Sequence, residues 1–137
     1  MREILFRGKA NSEVREGEWI YGSLLAETTN TFPIIARDYD NDEDWLGVDL
    51  WDTVEPHTVG QYTGLTDKNG KKIFEGDILE FSDRLVSVFW HAHLGCWDSN
   101  FLKYTNQANE REDMSPCRWE YRAEVVGNIY DNLELQR

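Results

Sequence analysis

Apolar and polar side chains alternate along several short runs of this chain, the signature of strands whose two faces meet different surroundings. Ile4 and Phe6 alternate with Leu5 and Arg7 ahead of Gly8, which predicts a first strand. Asn11 to Gly17 is polar and reads as a turn. Trp19 to Leu25, rich in aromatic and branched residues, predicts a second strand that pairs with the first as a hairpin. Thr31 to Ala36 is a further short strand, placed at a sheet edge or a strand start because Pro33 lacks an N–H for the ladder. In Leu85 to His91, alternation puts Val86, Val88 and Trp90 on one face and Leu85, Phe89 and His91 on the other. Phe101 to Tyr104 continues that sheet across a turn at Gly95. Trp119 to Val126 reads as strand, with Gly127 and Asn128 bending the chain before Ile129 and Tyr130.

Thr58 to Phe81 is the most tightly specified stretch. Two alternating runs flank Asp67, Lys68, Asn69 and Gly70, residues that bond their own backbone or tolerate positive φ, and together they predict a β-hairpin. Within the second run, Gly76 stands between Glu75 and Asp77, and a lone glycine in a strand pattern marks a bulge or a sharp bend. Such a bend lets the run before it and the run after it serve different sheet directions. The expected fold is mainly β, α+β at most, with a small curved-sheet or β-barrel core built on this central hairpin, because many short strands with glycine bends protect their edges by closing or stacking.

Asp38 to Glu55 breaks the pattern. Its carboxylates are interleaved with Trp45, Leu46, Val48, Leu50 and Trp51 at a spacing that fits neither helix nor strand cleanly, and it is expected to be an irregular connection with one short helical turn at most. Thr105 to Met114 has almost no apolar side chains and is expected to be an exposed loop or a short surface helix. No repeat or low-complexity tract is present, and 137 residues fit one domain over 1–137.

Charge and cysteine content narrow the function classes. Twenty-six acidic residues against 14 basic ones give a net charge of −12, which repels a phosphate backbone and disfavours nucleic acid as a partner. The six tryptophans and six tyrosines then serve core and interface packing better than base stacking. Two cysteines are too few for a disulfide scaffold. No run has the length of a signal peptide's apolar region or of a membrane span, so the expected location is the cytoplasm, without membrane attachment.

Three constellations invite a chemical reading. Asp38, Asp40, Asp42 and Asp44 alternate ahead of Asp49, imitating the ligand spacing of a calcium loop, but Glu43 stands where that loop needs glycine and the last position is Asp rather than a bidentate Glu. A solvated acidic loop explains the run better. His91, His93 and Cys96, with Cys117 as a fourth ligand, could in principle offer zinc a tetrahedral donor set, yet the spacing matches no zinc signature. Glu75 and Asp77 could pair as catalytic carboxylates, but they flank a bend, where an aspartate more often bonds local N–H groups. No catalytic residue is assigned on these grounds, and no cofactor is expected.

Taken together, Arg2 to Lys9, Gly17 to Leu25, Thr58 to Ile78 and Glu124 to Asn132 resemble the YopX family of bacteriophages and of prophages in Gram-positive bacteria. The resemblance touches both ends and the centre of the chain in order; the acidic connection and Phe89 to Cys117 match none of its motifs. That family has no established activity, so the resemblance implies a β-rich fold with a small-barrel core and a phage or prophage origin, in the cytoplasm of a bacterial host, and not a reaction. Its motif positions, Gly60, Tyr62, Gly64, Asn69, Gly70, Glu75, Gly76, Asp77, Gly127 and Asn128, are those a structural reading would also choose. The leading functional expectation is a non-enzymatic accessory protein that binds a host or phage protein, one with a basic surface, through Asp40, Asp42, Glu43, Asp44, Trp45 and Trp51. Docking of Trp45, Leu46, Leu50 and Trp51 onto the domain's own core is the commoner use of such side chains and the competing reading of that segment. Self-association into a homo-oligomer is a further expectation. A metal-dependent enzyme acting on small molecules or nucleotides is the alternative, and a nucleic-acid-binding barrel the third.

Overall fold

The structure, a computed structural model, describes residues 3–25, 32–37, 51–106 and 113–137. Its contacts fall into two compact units, Met1–Tyr62 and Thr63–Arg137, and the chain passes from one to the other within a strand. The expectation of one domain over 1–137 thus meets two clusters of contacts joined by a continuous backbone.

In the first unit, β1 (Phe6–Lys9), β2 (Trp19–Leu25), β3 (Ile34–Arg37) and β4 (Trp51–Thr53) are ordered β4-β3-β2-β1, and the first residues of β5 (Gly60–Thr66) pair with β1. All pairings are antiparallel, and β1 and β2 form the expected hairpin, with Phe6 opposite Gly22 and Lys9 opposite Trp19. Pro33 lies just before β3, so its missing N–H is spared the ladder while its carbonyl accepts from Val54 N at 2.9 Å. The edge placement fails, however, because β3 is paired on both sides. Ala10, Ile20, Ile35 and Val54 form the core of this unit.

In the second unit, the rest of β5 forms the central hairpin with β6 (Lys72–Phe74), and β7 (Asp77–Glu80), β8 (Arg84–His91), β9 (Cys96–Tyr104) and β10 (Glu124–Asn128) make a four-stranded antiparallel sheet ordered β10-β7-β8-β9. The bend at Gly76 does what the sequence suggests: β6 pairs with β5, whereas β7, immediately after it, pairs with β8 and β10. Ile73, Leu79, Phe81, Val86, Val88, Trp119 and Ala123 form the core. The fold is therefore mainly β with two antiparallel sheets, and among the described residues neither closes into a barrel, which corrects the barrel alternative.

Two element assignments change. Trp51 to Thr53, expected within an irregular connection, is β4; the sequence before it, 38–50, lies outside the described residues. Trp119 to Val126 is not one strand. A 3₁₀ turn at Pro116–Arg118 leads into the single-turn helix α1 (Trp119–Arg122), and only then does β10 begin. Proline at the start of the turn presets its φ, and the Trp119 indole, wholly buried, donates from Nε1 to the Met114 carbonyl at 2.9 Å. Trp119 and Ala123, four apart, reach the same core, a helical spacing inside what resembles a strand pattern.

Candidate functional site

The motif residues of the central hairpin build a structural node. Asp67, only 2% exposed, opens the turn: Gly70 N donates to its carbonyl, and its Oδ1 accepts from Asn69 N at 2.8 Å and Lys71 N at 2.9 Å. Its Oδ2 accepts from Val125 N at 2.9 Å, and Lys68 N donates to the Ala123 carbonyl, so the turn is tied to β10 by side chain and backbone alike. Gly70 has φ +81°, the left-handed conformation that closes a hairpin turn of this kind. Thr63 lends its hydroxyl to the Ile73 carbonyl across the same hairpin.

A second node forms at Glu75, Gly76 and Asp77. Asp77 is buried, and its Oδ2 accepts from Phe74 N at 2.7 Å, closing the bend, which places this carboxylate in a structural bond. Gly76 sits at φ +89°, its N–H donating to the Val88 carbonyl and its carbonyl accepting from Ile129 N. A Cβ there would stand 2.9 Å from Cε2 of Tyr130. At Gly127 the demand is space alone, since a Cβ would meet Asn132 Oδ1 at 2.5 Å, and neither Gly127 nor Gly60 has positive φ. The Asn128 side chain accepts from Tyr130 N and Asp131 N, turning the chain after β10. Gly64, at φ +86°, lies within β5, and Tyr62 is buried beside it.

The candidate zinc ligands stand in several places. His91 ends β8 opposite Cys96 at the start of β9; its Nδ1 accepts from Leu94 N at 3.2 Å and its carbonyl from Gly95 N, so both hold the β8–β9 turn. The His93 ring lies 6.2 Å from that of His91, and Cys117 sits on the 3₁₀ turn with its sulfur 3.4 Å from the Ser115 hydroxyl. Among the described residues, no group of three or more His, Cys, Asp or Glu side chains is placed to hold a metal ion. A cleft of about 270 Å³ is lined by Lys68, Glu80, Phe81, Ser82 and Arg122. It is smaller than the roughly 300–1,000 Å³ of small-molecule sites, and Lys68 lies 4.0 Å from Glu124 in an ion pair.

Of the expected partner surface, Asp40, Asp42, Glu43, Asp44 and Trp45 lie outside the described residues, whereas Trp51 is placed. The register shows what it joins, a feature that sequence reasoning missed. Trp51 stands opposite Ala36, and Ala36 opposite Ser23; one row along, Thr53, Ile34 and Leu25 line up on the same face. Tyr21, two residues from Ser23 on β2, shares that face. Tyr21 is 45% exposed, Leu25 50% and Trp51 51%. An apolar sheet face thus meets solvent, and the chain that links β3 to β4 is the acidic run 38–50. That β2 is a strand was legible in the sequence, but its alignment with Trp51 depends on pairings across that run.

The comparisons with known proteins give a family and, separately, a likeness of fold. A family model described as "YopX protein" matches residues 6–136. Among solved structures, the crystal structure of protein EF1440 from Enterococcus faecalis aligns over 100% of both chains at 24% identity, with a TM-score of 0.59, a likeness of fold. No curated protein matches.

Proposed function

The chain belongs to the YopX family, and on that footing we propose that it is a non-enzymatic phage or prophage protein that binds a host or phage protein in the cytoplasm of the bacterial host. The supporting observation is the solvent-facing apolar face shared by Tyr21, Leu25 and Trp51 on a sheet whose β3–β4 link carries Asp38, Asp40, Asp42, Glu43, Asp44 and Asp49. An exposed apolar face on a chain of strongly acidic balance fits a protein partner of complementary, basic character. Aromatic anchors supply the contact energy and the carboxylates steer the encounter. With a net charge of −12, association should be fast at low salt and slow as salt screens charges separated by more than about 8–10 Å.

The test is a titration of the partner captured from host lysate against wild type, Trp51→Ala and the quadruple D40N/D42N/E43Q/D44N variant, at low and high salt. Trp51→Ala should weaken affinity about tenfold or more, as loss of an interface anchor does. The quadruple variant should slow association and flatten its salt dependence. A partner whose binding ignores salt and all these changes would place the interface elsewhere and remove this reading.

A further inference from the structure

One of the two edges of the four-stranded sheet is its longest strand. Native sheets blunt exposed edges with short strands, yet β9 runs for nine residues, Cys96–Tyr104, whereas β4 and β6 have three each. Among the described residues no strand pairs with the outer side of β9, and Phe101 and Tyr104 are half-exposed along it.

The register against β8 fixes which residues of β9 share a face. Trp90 stands opposite Trp97, Val88 opposite Ser99 and Val86 opposite Phe101; the register then slips, so that Leu85 meets Lys103 and Arg84 meets Tyr104. Leu102 is the extra residue of this bulge, and the slip reverses the alternation beyond it. Trp97, Ser99, Phe101 and Tyr104 therefore lie on one face, in agreement with the 4.7 Å between the Phe101 and Tyr104 rings. Asp98, Asn100 and Lys103 lie on the other.

We propose that β9 is a self-pairing edge: two copies of this chain join their four-stranded sheets through antiparallel β9 strands, about a twofold axis that passes between the two Asn100 residues. A twofold perpendicular to the sheet keeps each face on its own side, so only residues of one face can stand opposite each other. With Asn100 opposite its own copy and Leu102 bulging on both strands as it does against β8, Ser99 meets Phe101, Asp98 meets Lys103 and Trp97 meets Tyr104, each twice. Faces match at every position, the one acidic and the one basic residue of the strand neutralise each other, and two aromatic pairs close the ends. An axis through Asp98 would oppose two carboxylates, and axes through Ser99 or Phe101 would leave Asp98 and Lys103 opposite uncharged residues, so only the Asn100 axis pairs the two charges. Lys103 Nζ donates to the Arg137 carbonyl at 3.3 Å and keeps further protons for Asp98 of the second copy. The pairing uses residues of the second unit alone and stands or falls independently of the Trp51 face.

The measurement is mass in solution by light scattering and sedimentation, with melting temperature as the control for folding. Wild type should have twice the chain mass. Asp98→Lys and Lys103→Asp should each halve it by setting like charges opposite, and the doubly exchanged D98K/K103D should restore it. A wild type of single-chain mass up to millimolar concentration, or a dimer indifferent to both charge reversals, overturns the proposal. A second readout does not depend on dissociation. In a C96S/C117S background, Asn100→Cys should form a disulfide with its own copy under mild oxidation, since opposed Cα atoms lie about 4.5–5.5 Å apart, within disulfide reach. Ser99→Cys, which faces Phe101, should not; equal cross-linking of the two, or none at Asn100→Cys, also overturns it.

Discussion

Asp67 and Val125 are 58 positions apart in sequence and joined by a hydrogen bond of 2.9 Å from the Val125 N–H to the buried Asp67 Oδ2. The same carboxylate organises the hairpin turn through Asn69 N and Lys71 N, so one side chain sets a local turn and holds β10 to it. Asp67→Ala would leave three N–H groups without their acceptor, each worth about 1–3 kcal/mol where water cannot replace it. The expected loss is roughly 3 kcal/mol or more in urea denaturation. Asp67→Asn, which keeps one acceptor oxygen, should lose less; equal stability of Asp67→Ala and wild type would show that the node contributes nothing.

Gly70 and Gly76 share a left-handed backbone but not an environment. Around Gly70 a Cβ would meet nothing within 4 Å, whereas at Gly76 it would press on the Tyr130 ring. Gly70→Ala should therefore bear only the conformational penalty of about 1–2 kcal/mol. Gly76→Ala should bear that penalty and the displacement of Tyr130, with the larger drop in melting temperature of the two. Tyr130→Ala in the Gly76→Ala background should recover part of the difference, because it removes the clash and leaves the φ strain. The reverse ranking would mean that the ring yields freely.

These two nodes show how much could be read in the sequence. Asp67 to Gly70 announced its turn through residue types alone, and Gly76 announced its bend, since both are governed by neighbours in sequence. The bond from Asp67 to Val125 had no local signal, because it depends on where β10 docks. The same division explains the errors. Trp119 to Val126 alternates like a strand, and the Trp119–Ala123 spacing of four, which marks the helical turn, is too short a signal to stand out beside that alternation. At the partner surface, Trp51 was recognisable as an aromatic beside carboxylates, while the face it shares with Tyr21 and Leu25 follows from register, which strands far apart in sequence do not display.

Ahead of the 3₁₀ turn, Asp113 and Ser115 form a small exposed cap whose chemistry can be followed by pH. The Ser115 hydroxyl, at 2.6 Å from Asp113 Oδ1, is the main reason the carboxyl titrates below the ordinary carboxylate value; the Ser115 N–H at 3.0 Å comes next, and the Arg118 guanidinium at 3.4 Å adds its charge. A carboxylate whose folded pKa is depressed favours the folded arrangement above its unfolded pKa, and that contribution disappears as pH falls through the folded value. Because the group is exposed and open to solvent screening, global stability should not register the change, and the place to look is the cap itself. Following the Asp113 carboxyl carbon by NMR, Ser115→Ala should raise its pKa toward the ordinary value by more than Arg118→Ala does, since it removes the leading cause. Amide exchange at Ser115 should quicken in wild type as pH falls through the Asp113 titration, beyond the intrinsic pH dependence of exchange. If Arg118→Ala moves the titration further than Ser115→Ala, charge and not hydrogen bonding holds the carboxyl down, and the cap is an ion pair instead.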